Sequence, residues 1–117
     1  MNIKGVCVLF NNFIQNGVVI KPNVLAHGDN ATLLYKGLLQ KSGAQSVVMH
    51  YGYGNDWSNS GDIKMHKTAD GFEANFTVTS DDQLNIAFKD CANNWDNNSG
   101  QDYSFEVQNK NVTINDR

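Results

Sequence analysis

Apolar and polar residues alternate along most of this chain, with the two-residue period of a β-strand that has one buried face. Phe72, Ala74, Phe76 and Val78 alternate with Glu73, Asn75 and Thr77, and Leu84, Ile86 and Phe88 alternate with Asn85 and Ala87. Tyr103, Phe105 and Val107 alternate with Ser104, Glu106 and Gln108. Val47, Met49 and Tyr51 form a further inward set, which turns Val48, His50 and Gly52 to the opposite face. Shorter strands are expected over residues 3–9, 17–21, 31–36, 62–66 and 111–114.

Turn chemistry separates these runs. Lys41-Ser42-Gly43-Ala44, Asp70-Gly71, Ser80-Asp81-Asp82 and Asn98-Ser99-Gly100 supply residues that tolerate turn or positive-φ geometry. No stretch carries a sustained 3.6-residue apolar period with caps, so long helices are not expected. Many short strands at fairly regular spacing predict an all-β fold, an antiparallel immunoglobulin-like β-sandwich. With no internal repeat and no linker-like tract, the 117 residues read as one domain, 1–117.

Composition narrows the function classes. Hydrophobic residues make up 40 % and charged residues 18 %, which argues against disorder. The formal net charge is −3 and the basic residues are scattered, whereas binding to a nucleic-acid backbone calls for a dense Lys/Arg patch. No segment is apolar for long enough to span a bilayer, so no membrane partner is expected. The run from Ile3 to Phe10 is short, bracketed by Lys4 and Asn11-Asn12, and lacks a small-residue cleavage site, so it reads as a strand rather than a signal peptide. A standalone chain of this kind is expected in the cytoplasm; otherwise it is one module of a longer secreted enzyme. Cys7 and Cys91 are far apart in sequence, and either a disulfide or two free thiols is compatible with that spacing.

The chemistry is concentrated in two tryptophans. Trp57 lies in Gly54-Asn55-Asp56-Trp57-Ser58-Asn59-Ser60-Gly61, and Trp95 in Asn93-Asn94-Trp95-Asp96-Asn97-Asn98-Ser99-Gly100. Both are large rings among Asn, Asp, Ser and Gly, which offer little apolar material to bury an indole; the alternative is a ring folded back to plug an end of the sandwich. An exposed indole can cover the C–H face of a hexopyranose, while neighbouring amides and carboxylates meet its hydroxyls. The same ring can stack a nucleobase, but that requires the cationic groove this chain lacks. His50 faces away from the inferred core and lies seven residues before Trp57, within reach of the same surface.

Other chemistries find less support. His27 and His66 form no ligand spacing with His50, so no metal site and no cofactor are expected. The stretch Asp90–Asp102 fails the EF-hand pattern because Gly100 falls one position early and the terminal Glu is missing. Asx-turns account for most of it, with a calcium site of another type left open. No catalytic residue is assigned, since Glu73 and Glu106 both fall at outward strand positions and no pair of carboxylates stands out.

Taken together, His50-Tyr51-Gly52, Trp57 and Trp95-Asp96-Asn97-Asn98-Ser99-Gly100 followed by Tyr103 resemble the starch-binding carbohydrate-binding modules of family 25 and the related family 53 of starch synthases. The resemblance runs over about residues 21–108, including Tyr35-Lys36-Gly37-Leu38-Leu39. It implies a non-catalytic immunoglobulin-like sandwich that holds an α-1,4-linked glucan against two tryptophans and a histidine or tyrosine, the matching positions here being His50, Trp57 and Trp95. Asn98, Asp96 and Asn55 are expected as secondary contacts. A glucan-active enzyme or self-association is the further partner such modules suggest. The rival reading is an immunoglobulin-like protein-interaction module anchored by Tyr53, Trp57 and Trp95. A small hydrolase or lyase is the third.

Overall fold

The computed structural model describes residues 12–108, and the strands expected at 3–9 and 111–114, together with Cys7, lie outside them. Eleven strands, one 3-10 turn (Ile14–Asn16) and one α-helical turn are present among the described residues: β1 (Val18–Lys21), β2 (Leu25–Ala26), β3 (Asn30–Tyr35), α1 (Leu38–Lys41), β4 (Val47–Tyr53), β5 (Ser58–Lys64), β6 (His66–Lys67), β7 (Phe72–Thr77), β8 (Leu84–Asp90), β9 (Trp95–Asp96), β10 (Tyr103–Phe105) and β11 (Val107–Gln108). The first sheet has the order β1-β3-β7-β6 and the second β10-β8-β4-β5, with β9 also paired to β8. Every pairing within these two sheets is antiparallel. The two orders correspond to the A-B-E-D and G-F-C-C′ arrangement of an immunoglobulin-type sandwich. A short parallel pair, β2 with β11, lies apart from both.

The alternation seen in the sequence is the packing of the two inner faces. Val18, Ile20, Leu33, Tyr35, Phe72 and Ala74 from the first sheet meet Val47, Met49, Leu84, Ile86, Phe88, Tyr103 and Phe105 from the second. At the centre Tyr35 stacks on Phe88, with ring centroids 4.0 Å apart. No helix among the described residues is long and apolar enough to cross a membrane.

Three local features depart from the sequence pattern. Asn85 and Ala87, read as outward, are both buried, because β8 is central and its outer face is covered as well. The strand expected at 62–66 begins at Ser58: the segment Ser58-Asn59-Ser60-Gly61 has no apolar alternation and is held by its ladder to β4. Trp95 lies in a two-residue strand paired with Lys89, where a loop was expected.

Candidate functional site

The outer face of the second sheet is organised by register. Lys64, Val48, Lys89 and Trp95 form one cross-strand row; Asp62, His50 and Ala87 form the next; Gly52, Asn85 and Ser104 form the third. His50 therefore occupies the middle row, as its parity in β4 predicted. Ala87 beside it is a methyl-sized residue on a central strand, which leaves the imidazole standing above its neighbour.

Trp57 reaches this face from the turn between β4 and β5. The Trp57 N–H closes the turn on the Gly54 carbonyl at 3.3 Å, and Trp57 itself has φ of +52°. A left-handed conformation costs a non-glycine residue about 1–2 kcal/mol, and strain of this kind concentrates at functional sites. Its effect here is to lay the indole over Gly52. A Cβ at Gly52 would lie 2.5 Å from Trp57 Cε3, so the absence of a side chain at that position is what admits the ring. The half-buried indole stacks on His50, with centroids 5.1 Å apart and planes 18° from parallel.

Trp95 approaches His50 from the opposite side. Its centroid is 5.9 Å from that of His50 at an interplanar angle of 83°, and the Lys89 ammonium sits 5.4 Å from the indole centroid. The ring remains 45 % exposed. Because His50 is nearly parallel to Trp57 and nearly perpendicular to Trp95, the two indole planes are steeply inclined to each other.

Neighbouring carboxylates hold this arrangement. Asp62 Oδ1 is hydrogen-bonded to His50 Nδ1, which fixes the ring's orientation and leaves Nε2 for an incoming group. Asp102, just before β10, interacts electrostatically with His50; burial pushes its carboxyl above the usual range, and the imidazole offsets this in part. Neither Asp62 nor Asp102 was picked out from the sequence, because only the strand register brings them to His50.

The secondary contacts divide. Asn98 is half-buried beside Trp95, its amide nitrogen donating to the Asp102 carbonyl at 3.0 Å. Asn55 is exposed in the turn that carries Trp57. Asp96 does not face this surface. It is 6 % exposed and accepts the Tyr35 hydroxyl at 2.6 Å and the Tyr103 hydroxyl at 2.8 Å, because the strand alternation that turns Trp95 outward turns Asp96 inward. Burial, followed by the Asp96 hydrogen bond, raises both phenol pKa values above the ordinary tyrosine range. Tyr53, an anchor of the protein-interaction reading, is fully buried, with its hydroxyl accepting the Thr79 N–H, and cannot serve as a surface anchor.

Around the loop that follows β8, the Asp90 carboxylate accepts the Ala92 and Asn94 N–H groups and the Asn94 amide, bonds that lower its pKa. This is the turn-forming use of acidic and amide residues that the sequence suggested. Among the described residues no group of three or more His, Cys, Asp or Glu gathers to hold a metal ion. Glu73 lies at an outward position of β7, as expected, whereas Glu106 is exposed between β10 and β11 rather than within a strand, and Cys91 is exposed.

Comparison with known proteins places this geometry in a wider setting. The family described as starch/carbohydrate-binding module (family 53) matches residues 31–86, which include His50 and Trp57 and end before Trp95. The match is to family 53, and the family 25 resemblance is not shown by it. The α-amylase of Clostridium acetobutylicum is 39 % identical over 80 residues, covering 67 % of this chain and 10 % of that protein. The β/α-amylase of Paenibacillus polymyxa is 35 % identical over 83 residues, covering 68 % of this chain and 6 % of that protein. The chain thus spans a tenth or less of the length of these curated relatives. No solved structure gives a significant match. From β3 into β8, the chain is similar to the starch/carbohydrate-binding modules of family 53.

Proposed function

We propose that the chain is a non-catalytic module that binds α-1,4-linked glucan, such as starch, glycogen or maltooligosaccharides, on the surface formed by Trp57, His50 and Trp95. The observation that carries the reading is the pair of part-exposed, steeply inclined indoles set around one imidazole. An α-1,4 linkage turns each glucose relative to the last, so successive C–H faces are not coplanar. Two inclined plates fit such a chain better than one flat surface. Each ring removes apolar sugar surface from water, while His50 Nε2, Asp102 and Asn98 meet hydroxyls at the rim.

The family match and the amylase relatives support the same ligand class. They also suggest that the chain works beside a glucan-active enzyme, keeping it on its polymer. Shallow polar sites of this kind bind with dissociation constants from about millimolar to about micromolar, roughly −4 to −8 kcal/mol. Affinity electrophoresis in gels with and without amylopectin or glycogen tests the reading. Retardation of the wild-type chain by glucan, abolished in Trp57→Ala and Trp95→Ala, is the expected result. Equal mobility in all gels would refute it, and release of short sugars by the purified chain would refute its non-catalytic part.

A further inference from the structure

The platform does not account for everything around Trp95. A cleft of about 410 Å³ opens beside it, between the 3-10 turn that precedes β1, α1 and the loop after β9. Its volume falls within the range of about 300–1,000 Å³ usual for small-ligand sites. Trp95 lines one side, and Leu38, itself 57 % exposed at the start of α1, lines another. Gln15, Asn97 and Asn98 supply amides, and Lys41 is the one basic side chain in the lining among the described residues.

We infer that this cleft is an extension subsite, in which an α-glucan chain lying on the Trp57–His50–Trp95 platform continues past Trp95. The inference rests on the proposed glucan-binding function and deepens it. Two apolar surfaces, Leu38 and the indole, stand ready for the C–H faces of a sugar. The amides keep open hydrogen-bonding capacity: Asn97 spends its side-chain carbonyl on the Gly100 N–H and Asn98 its nitrogen on the Asp102 carbonyl. Outside those two bonds, the Asn97 NH₂ is a donor group and the Asn98 side-chain carbonyl an acceptor for a sugar hydroxyl. Asp96 also borders the cleft, but its carboxylate is turned inward and committed to Tyr35 and Tyr103. Amides and hydroxyls outnumber charged groups among the described lining residues, which suits a neutral, hydroxyl-rich ligand. Trp95 belongs to both the platform and the cleft, which makes one continuous chain the occupant rather than a separate small molecule.

The test is calorimetric titration of the wild-type chain and of a Gln15→Ala/Leu38→Ser variant with maltotriose and with maltoheptaose. Both substituted side chains are exposed, so the variant is expected to keep its fold, and its thermal unfolding is measured alongside. The variant should bind maltotriose as the wild type does and bind maltoheptaose more weakly by on the order of threefold to tenfold. Statistical gain from the several registers of a longer ligand is common to both proteins and cancels in this ratio. In NMR titrations the amides of Gln15 and Leu38 should shift with maltoheptaose and stay still with maltotriose. An unchanged variant-to-wild-type ratio for maltoheptaose, or an equal loss for both sugars, would overturn the extension while leaving the platform in place. Failure of the wild type to bind either sugar would overturn the platform reading and the extension with it.

Discussion

Two aspartates hold aromatic rings on opposite faces of the second sheet, one in the core and one on the proposed glucan surface, and the contrast shows how burial sets what a hydrogen bond is worth. Asp96 points inward and takes two phenol hydroxyls where almost no water reaches. Asp62 points outward and holds the His50 imidazole with both partners substantially exposed. Hydrogen bonds of similar geometry differ in worth because of what replaces them when broken. Buried hydroxyls left without an acceptor lose their partners outright, whereas exposed groups recover theirs from water. Asp96 therefore ties β3, β9 and β10 together, and Asp62 orients a ring of the proposed glucan surface at little cost to the fold either way.

The largest expected effect breaks the inner cluster. Asp96→Ala should destabilise the chain by about 2–5 kcal/mol, since two buried donors lose their acceptor. Chemical denaturation measures it, and a loss below 1 kcal/mol would show the network to be dispensable. The same cluster predicts an alkaline weakness. Tyr35 and Tyr103 have folded-state pKa values raised above the unfolded value of about 10. Below that pH both states keep the phenol protons and the contribution is intact. Above it the unfolded chain sheds protons that the folded chain retains, and stability should fall by up to about 1.4 kcal/mol per pH unit for each tyrosine. Tyr103→Phe should make that decline shallower, which denaturation midpoints between pH 9 and 11 would reveal.

Gly52→Ala sharpens the comparison from the outer face. The added methyl takes the space of Trp57, so the indole must move off His50. Overpacking of this sort costs about 1–3 kcal/mol, and glucan affinity should drop by about tenfold as the platform loses its geometry. An unaltered affinity would mean that the stacked position of Trp57 is irrelevant to binding. Smallest of all should be Asp62→Asn. With its exposed partner, it should leave the denaturation midpoint nearly unchanged and weaken glucan binding by about twofold to fivefold, because the imidazole loses its fixed orientation. A large loss of stability in that variant would erase the distinction between the two aspartates.

How much of this was legible in the sequence follows from where each signal resides. The alternation through Phe72–Val78 and Val47–Tyr51 is local, so it revealed both the sandwich and the outward parity of His50. Ser58-Asn59-Ser60-Gly61 carries no apolar residue, and its strand exists through backbone pairing with β4, which residue types do not express. The roles of Asp96 and Asp62 escaped for a related reason. In Trp95-Asp96-Asn97-Asn98 the inward turn of Asp96 is masked by polar neighbours, and its partner Tyr35 lies 61 residues away. Asp62 meets His50 only through the β4–β5 register. The rings were readable as oddities of composition, but their mutual inclination belongs to the fold.

Two inclined indoles around His50 form the proposed glucan surface, and titration of intrinsic fluorescence with maltoheptaose puts that surface to the test. The wild type should show a saturable change, and each of Trp57→Ala and Trp95→Ala, with folding intact, an affinity weaker by about 1–3 kcal/mol. Tryptophan emission unmoved by the sugar at millimolar concentration, or full affinity in either variant, would contradict it.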